Sequence, residues 1–186
     1  MTTFDLHTTQ TAPAASQPVL EGAQKALGFV PNLYAVLAES PAALEAYTTL
    51  SKILDGGSFD ATERQVVLMT ANAYHECRYC QAAHTTISQM TGVPEDVVTA
   101  LRDGTPLPNP KLQALADFTR TVLEKRGWVD GAELEAFLGA GYSKAQLLEV
   151  ITGLALKTMS NYTNHIVETP VDEAFAPNSW SPPAAV

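Results

Sequence analysis

Apolar residues recur at every third or fourth position through most of the chain, and no window shows the sustained apolar and polar alternation of a half-buried strand. Helix start and stop signals separate these stretches; Ser40 and Pro41, for example, begin a helix that ends at Gly56. The pattern therefore predicts an all-α fold. The widest stripe follows a capping box at Ser143 and Gln146, and we expect the helix that carries it to be largely buried. Its members are Leu147, Leu148, Ile151, Leu154, Ala155, Thr158 and Met159.

The predicted helices follow one another with short connections, which indicates one compact domain at residues 17–168. The chain has 186 residues, of which 46% are hydrophobic, so it can bury one core and does not need two. We expect residues 1–16 to form a flexible arm and residues 169–186 to form a proline-rich arm. Phe175 and Trp180 in the second arm predict a docking contact, either with a neighbouring subunit or with the same chain.

The formal net charge is -9, and the lysine and arginine residues form no cluster. Such a chain repels phosphate backbones and anionic lipid headgroups, which argues against binding to nucleic acid or to a membrane surface. The first residues lack the basic start and the apolar run of a signal peptide, and polar residues interrupt the other apolar segments well short of a membrane span. We expect a soluble, cytoplasmic protein.

Only two cysteines are present, Cys77 and Cys80. A disulfide between them would close a very short loop and remove little entropy from the unfolded chain, so it would stabilise the fold only slightly. The pair also lacks the scattered spacing found in secreted, disulfide-rich domains. We interpret the two cysteines as chemical groups and not as structural ones.

His84 completes a C-x-x-C-x-x-x-H pattern on what the periodicity predicts to be one continuous helix, from Asp60 to near Gly92. At about 3.6 residues per turn, Cys77, Cys80 and His84 share one face, and His84 lies one turn beyond Cys80. We expect this imidazole to take the proton from Cys80, because the thiolate is the reactive form of cysteine. Cys80 would then attack a peroxide or a disulfide, and Cys77 would resolve the product as an intramolecular disulfide.

The stretch from Asp60 to His84, DATERQVVLMTANAYHECRYCQAAH, resembles the core motif of the AhpD-like branch of the carboxymuconolactone decarboxylase superfamily. Residues 27–47 and 161–175 are also similar to the members described as peroxidase-related, so the likeness covers most of residues 20–176. The resemblance implies an AhpD-like multi-helix bundle with a helix break just before the first cysteine. It further implies an antioxidant alkylhydroperoxidase that reduces a hydroperoxide with electrons from a protein or small dithiol donor. It also implies a homo-oligomer, either a trimer or a dimer-based hexamer.

One position departs from the family pattern. The family carries a glutamate twelve residues before the first cysteine, as part of a proton relay, and this chain has Gln65 there. An amide cannot accept that proton, which argues against efficient peroxidase turnover unless Glu63, Glu76 or His75 takes its place. We expect Gln65 to orient a water molecule or the histidine. His165, in a pair of residues that matches the peroxidase-related members, is a candidate second histidine of the site.

A metal site is disfavoured, because structural zinc takes four ligands, usually from two distant pairs, and the cysteine motif would need a fourth from His75 or His165. No cofactor is predicted either. We favour a thiol-dependent peroxidase or disulfide oxidoreductase and keep two alternatives. One is a lyase similar to carboxymuconolactone decarboxylase, which does not need a cysteine pair. The other is a non-enzymatic, redox-sensing oligomer that the cysteine pair switches.

Overall fold

The computed structural model describes residues 4–183, and within that range it contains helices and no strand. The all-α fold predicted from the apolar pattern is therefore confirmed. The helices are α1 (Gln17–Leu27), α2 (Asn32–Leu37), α3 (Pro41–Asp55), α4 (Ala61–Tyr74), α5 (Arg78–Met90), α6 (Glu95–Asp103), α7 (Pro110–Glu124), α8 (Gly131–Gly139) and α9 (Lys144–Val167), followed by a short 3₁₀ turn at Ala176–Asn178.

Side-chain caps fix several of the helix starts that the sequence predicts. The Ser40 side chain accepts a hydrogen bond from a backbone N–H in the first turn of α3. Asp60 and Glu63 form a capping box at the start of α4, and Ser143 and Gln146 form another at the start of α9. These reciprocal hydrogen bonds satisfy backbone groups that a helix otherwise leaves without a partner, so they hold the starts of α4 and α9.

Helix α4 lies at the centre and packs against α5, α6, α7 and α9; all of its residues 65–72 are buried. One apolar cluster fills the space between α4, α6, α7, α8 and α9 and includes Leu115 and Phe137. A second cluster joins α1, α2, α3 and α5 to one side of α9 and includes Leu20, Leu44 and both cysteines. The cysteine motif thus lies within a packed core and not on a surface loop.

Gly153 allows α9 to approach the central helix closely. A Cβ atom at this position would lie 2.9 Å from Val67 Cγ1, which is closer than real side chains pack. Lys157 lies one turn further along α9 and is also buried. The missing side chain at Gly153 therefore sets the distance at which the second half of α9 lies from α4.

The continuous helix predicted through the cysteine motif is wrong, because the structure has two helices, α4 and α5, that are separated at residues 75–77. Glu76 has a φ of 55°, in the left-handed region. Hydrogen bonds run from the Cys77 N–H to the Asn72 carbonyl and from the Glu76 N–H to the Ala73 carbonyl. This is a Schellman motif with glutamate where glycine is usual, so no Gly or Pro marks it in the sequence. The helix break implied by the family resemblance is confirmed.

The apolar stripe predicted for α9 is buried only in part, so the expectation of a largely buried stripe is wrong. Its exposed members are Leu148, Ile151, Ala155 and Thr158. The helix buries polar side chains in their place, at Lys157, Ser160, Asn161 and Asn164. The buried face of α9 carries both apolar and polar residues. The apolar positions alone therefore do not identify which face of the helix is buried.

Both terminal segments pack on the helical domain as far as they are described. Ser16 is buried, and its hydroxyl donates to the Ala38 carbonyl at 2.8 Å. Phe175 and Trp180 are also buried, and the Trp180 indole N–H donates to the Arg102 carbonyl at 2.8 Å. The aromatic residues of the C-terminal segment thus contact the same chain. Residues 1–3 of the predicted N-terminal arm and residues 184–186 of the predicted C-terminal arm lie outside the described residues.

Between residues 4 and 183, no helix is long and apolar enough to cross a bilayer.

Candidate active site

The two cysteines lie at the start of α5. Cys77 is the N-cap residue and Cys80 is the third residue of the helix. Both are free thiols, and 1% and 2% of their respective surfaces are exposed. A helix N-terminus favours negative charge, because its free backbone N–H groups and the helix dipole present their positive ends there. The break that ends α4 therefore places the pair where a thiolate is stabilised.

Asn164 of α9 supplies a hydrogen-bond donor to the cysteine pair. Its Nδ2 donates to Cys80 Sγ over 3.2 Å, whereas its distance to Cys77 Sγ is 4.0 Å. The Oδ1 atom of the same amide is buried and has no hydrogen-bond partner among residues 4–183. The amide therefore favours negative charge on Cys80 over Cys77, and it leaves one acceptor beside the sulfurs.

The surroundings of the two thiols separate their pKa values. Burial alone would raise the pKa of Cys80, but the hydrogen bond from Cys77 and the positive charge of Lys157 outweigh it and lower the pKa well below its ordinary value. The pKa of Cys77 is raised, first by its hydrogen bond with Cys80 and then by burial. Cys80 is therefore the thiolate of the pair, and Cys77 is the thiol that donates to it.

Both ring nitrogens of His84 form hydrogen bonds with groups other than the sulfurs. Nδ1 lies 2.9 Å from Gln65 Oε1, and Nε2 lies 3.1 Å from Lys157 Nζ. Because an amide oxygen only accepts, Nδ1 carries the proton, and the Nε2 lone pair accepts from the lysine. Burial and the charge of Lys157 lower the pKa of His84 well below its ordinary value, so the ring is neutral. Helical spacing predicts a hydrogen bond between Cys80 and His84. In the structure, His84 contacts Lys157 instead.

The structure brings four of the five predicted site residues together: Cys77, Cys80, His84 and Gln65. His165 is not among them, because it is exposed on α9, whereas the preceding residue, Asn164, is buried against the cysteines. Gln65 orients the histidine, which is one of the two roles expected of it. His75 caps the end of α4 and bonds through Nδ1 to Asn161 Oδ1 at 2.9 Å.

Sequence reasoning misses the residues that α9 contributes, which are Lys157, Ser160 and Asn164. They lie three and four positions apart, on the helix face that is buried against α4 and α5. Polar residues at helical spacing inside a mostly apolar helix are a signal that could have identified them. Their contact with the cysteines is made only when the chain folds, because more than 70 residues separate Lys157 from His84.

A cavity of about 660 Å³ adjoins Cys80. Cys80, His84 and Lys157 line its buried end, and Leu27 and Met90, which are 50% and 75% exposed, line its rim. Most of its wall is apolar, with aromatic rings from Phe29, Tyr34, Tyr47, Tyr79 and Phe175. A small organic molecule with an apolar body fits such a space better than a strongly hydrated one does.

The C-terminal segment forms part of the cavity wall. The Tyr79 hydroxyl donates to Asp172 Oδ2 at 2.6 Å, and the Asn32 backbone N–H donates to Asp172 Oδ1 at 3.0 Å. These bonds fix the segment that places Phe175 against Phe29 and Tyr79, at centroid distances of 5.7 and 6.1 Å. The cavity is therefore closed on one side by residues that follow the last long helix.

The chemistry available at the site is that of a buried thiolate with a second thiol beside it. Between residues 4 and 183, no cluster of three or more His, Cys, Asp or Glu side chains is placed to hold a metal ion. The site offers instead a nucleophilic sulfur, a thiol that can form a disulfide with it, an amide donor and a buried ammonium, all beside an apolar cavity. This set suits two-electron thiol and disulfide chemistry.

The fold and the site define an all-helical protein with a Cys-x-x-Cys pair at the break between two helices. Residues 41–119 match the family model of the carboxymuconolactone decarboxylase family. This match covers the segment from α3 to α7, which includes the cysteine motif, and the arrangement of the helices is AhpD-like. No curated protein sequence matches the chain significantly.

Solved structures share the fold over nearly the whole chain. An uncharacterized peroxidase-related protein from Ralstonia eutropha JMP134 has a TM-score of 0.83 and 21% identity, over 92% of this chain and 93% of that one. A second such protein, from Silicibacter sp. TM1040, has a TM-score of 0.77 and 22% identity, over 94% and 93%. The debrominase Bmp8 has a TM-score of 0.74 and 20% identity, over 89% and 90%. At these identities the likeness concerns the fold.

Proposed function

We propose that the protein is a thiol-dependent peroxidase that reduces organic hydroperoxides through Cys80 and Cys77. The observation that carries this proposal is the free thiol of Cys80 at the buried end of an apolar cavity, with the Asn164 amide donating to Cys80 Sγ and Cys77 beside it. Cys80 is the nucleophile, because its surroundings lower its pKa. Cys77 is the resolving thiol, because its raised pKa keeps it protonated until the disulfide forms.

The proposed reaction has two steps in the protein. The Cys80 thiolate attacks the terminal oxygen of the hydroperoxide; the O–O bond breaks, Cys80 becomes a sulfenic acid, and the alkoxide takes up a proton and leaves as the alcohol. The Cys77 sulfur then attacks the Cys80 sulfur, and the sulfenic oxygen leaves as water with the Cys77 proton. The peroxide has gained two electrons, and the protein holds a disulfide that an external dithiol reduces.

The walls of the cavity support a hydroperoxide with an apolar or aromatic body. The electron donor is a small dithiol or a protein dithiol, as in the peroxidase reaction that the family resemblance implies. Dithiols of this kind are kept reduced in the cytoplasm, where we propose that the protein acts.

Reductive removal of bromine from an aromatic ring is a second candidate. The aromatic wall of the cavity favours it, and the similar protein Bmp8 is a debrominase whose C82A variant was solved with 2,3,4-tribromopyrrole. The electrons balance in the same way: the carbon–bromine bond is replaced by a carbon–hydrogen bond, bromide leaves, and two thiols become a disulfide. Supplying the bromopyrrole in place of the hydroperoxide distinguishes the two candidates.

The test uses the reduced, full-length protein with dithiothreitol as the electron donor. We expect cumene hydroperoxide to be consumed faster than hydrogen peroxide, with one dithiol oxidised for each peroxide. Cys80→Ser should reduce the rate to background, because the nucleophile is gone. Cys77→Ser should still react once and accumulate a sulfenic acid, which dimedone labelling and mass spectrometry detect. Arg78→Ala, at an exposed position between the two cysteines, is the matched control and should retain activity.

Three outcomes would contradict the peroxidase proposal. Debromination without peroxide consumption would assign the second candidate. Turnover of a lactone by a variant that lacks both cysteines would support the lyase. A change of oligomer size between reduced and oxidised protein, with no turnover of either substrate, would support the redox-sensing oligomer.

A further inference from the structure

We propose that Lys157 is the charge partner of the Cys80 thiolate, and that His84 holds this lysine in place instead of acting as the base that ionises Cys80. The inference deepens the proposed function and rests on Cys80 as its nucleophile. It assigns positioning roles to Lys157 and His84, one of which lies outside the cysteine motif.

Among residues 4–183, Lys157 has no carboxylate partner that would explain its burial. Its side chain is fully buried, with an exposed fraction of 0%. The salt bridges formed within residues 4–183 all join other residues. An ammonium group that is buried without a counter-charge is strongly unfavourable, so the folded state is stabilised if a neighbouring group becomes an anion.

The uncharged groups around Cys80 come from three helices, and none of them supplies that anion. Burial and the charge of Cys80 raise the pKa of Tyr47, so this phenol stays protonated. Cys77 also stays protonated, and His84 is neutral. Ser160 and Asn164 do not ionise. With these groups excluded, Cys80 is the group whose ionisation offsets the charge of Lys157.

Asp55, which lines the cavity, and Asp172, which is bonded to Tyr79 of the cavity wall, have other partners. Asp55 is exposed and forms a salt bridge with Arg64 at 3.5 Å. Asp172 accepts hydrogen bonds from the Tyr79 hydroxyl and from the Asn32 backbone N–H. Neither carboxylate forms a salt bridge with Lys157, so the lysine charge remains available to the thiolate.

The hydrogen bonds of His84 leave it no lone pair for the proton of Cys80. A general base needs a free lone pair within hydrogen-bond reach of the proton that it removes. Nδ1 carries a proton that is donated to Gln65, and the Nε2 lone pair is used by Lys157. Rotating the Gln65 amide would put the proton on Nε2, where it would face the lysine ammonium donor to donor. His84 therefore acts as an acceptor that fixes the position of Lys157.

The same geometry accounts for glutamine at position 65. A neutral amide fixes the tautomer of His84 without adding charge to the site. A carboxylate there would be a second buried anion that competes with Cys80 for the charge of Lys157. The departure from the family glutamate and the buried lysine thus belong to one arrangement.

The test is the pH dependence of Cys80 alkylation by iodoacetamide, followed by peptide mass spectrometry so that Cys80 and Cys77 are counted separately. We expect Lys157→Met to move the pH profile of Cys80 alkylation up by about one pH unit or more, so that alkylation at a pH below the wild-type midpoint slows by about tenfold. His84→Gln keeps a hydrogen-bond acceptor for Lys157 but cannot take up a proton, and it should change the rate by less than about threefold. Lys144→Met removes the same charge from the exposed first turn of α9 and is the matched control.

Circular dichroism shows whether each variant is folded, and Lys157→Gln provides a second neutral variant if the methionine variant is not. The inference is overturned if both neutral lysine variants keep the wild-type pH profile, or if His84→Gln slows alkylation as much as Lys157→Met does. Alkylation consumes no peroxide. A protein that shows the expected profiles but reduces no hydroperoxide would retain the charge partner and lose only the peroxidase proposal.

Discussion

At the scale of single residues, the cysteine motif contained the thiols and the histidine, but not Lys157, the proposed charge partner of Cys80. Cys77, Cys80, His84 and Gln65 lie within one segment of sequence, and their spacing indicated a shared site. Lys157 reaches that site from a helix more than 70 residues further along. A lone lysine in an apolar helix is usually a solvent-facing side chain, so its burial is known only once α9 packs on α4.

Gln65→Glu separates two explanations of the site at this scale. A proton relay through glutamate predicts faster peroxide turnover. The arrangement seen here predicts slower turnover, because a buried carboxylate competes with the thiolate for the charge of Lys157 and raises the pKa of Cys80. We expect the pH profile to move up by about one unit, so that the rate at a pH below the wild-type midpoint falls by about tenfold and recovers as the pH rises, since a thiol with a raised pKa ionises only at higher pH.

The measurement is the pH profile of cumene hydroperoxide reduction, with Gln65→Met as the uncharged control. The methionine variant loses the hydrogen bond to His84 but adds no charge, so its profile should lie close to the wild type along the pH axis. A glutamate variant that turns over faster than the wild type at neutral pH would support the relay instead.

At the scale of helices, the sequence predicted the boundaries that a local signal marks, but not the break within the cysteine motif. Ser40, Asp60 and Ser143 cap α3, α4 and α9 as their side chains suggested, because a cap is a local interaction that the sequence shows directly. The end of α4 is different. Glu76 adopts a left-handed conformation that is held by backbone hydrogen bonds and by the packing of α5, and glutamate is not a residue that signals such a turn.

Gly153→Ala tests the close approach of α9 to α4. The added Cβ would lie 2.9 Å from Val67 Cγ1, so the two helices must move apart or Val67 must shift. We expect the free energy of unfolding to fall by about 1–3 kcal/mol, as for other overpacked cores, and Cys80 alkylation to slow because Lys157 moves with α9. Urea unfolding followed by circular dichroism measures the first effect.

Gly22→Ala is the matched control for this helix substitution. Gly22 lies in α1 with no heavy atom within 4 Å of an added Cβ, so alanine should stabilise the protein by about 0.5–1 kcal/mol through helix propensity alone. Equal effects of the two substitutions would show that the helix contact at Gly153 is looser than the structure indicates.

At the scale of the whole molecule, the apolar pattern predicted the helical class but not how the chain ends are used. Composition suggested that the terminal segments are arms, yet Ser16, Phe175 and Trp180 are buried against the helices. Proline and alanine weaken regular structure without preventing packing, and the bonds that fix the C-terminal segment join it to residues far away in sequence. The wall of the cavity near Phe175 could therefore not be located before the fold was known.

One surface of the described chain still presents a row of apolar side chains to solvent. Leu148, Ile151, Tyr162 and Ile166 lie along one side of α9, with exposed fractions of 63%, 48%, 50% and 77%. Their spacing of three, eleven and four residues keeps them on one face of the helix. A continuous apolar row of this kind is typical of a surface that pairs with another subunit, and we propose that it forms the homo-oligomer contact implied by the family resemblance.

This contact predicts that charge on α9 separates the subunits. We expect the wild-type protein to sediment as a trimer or hexamer and the double variant Ile151→Glu, Ile166→Glu to sediment as a smaller species, because unpaired carboxylates in an apolar interface are strongly unfavourable. Trp128→Ser replaces another exposed apolar residue, 85% exposed and outside α9, and should leave the sedimentation unchanged. If the tryptophan variant separates the subunits and the α9 variant does not, the interface involves the surface around Trp128. Cys80 alkylation in the separated α9 variant should stay near the wild-type rate, since the residues proposed to lower the pKa of Cys80 all come from one chain.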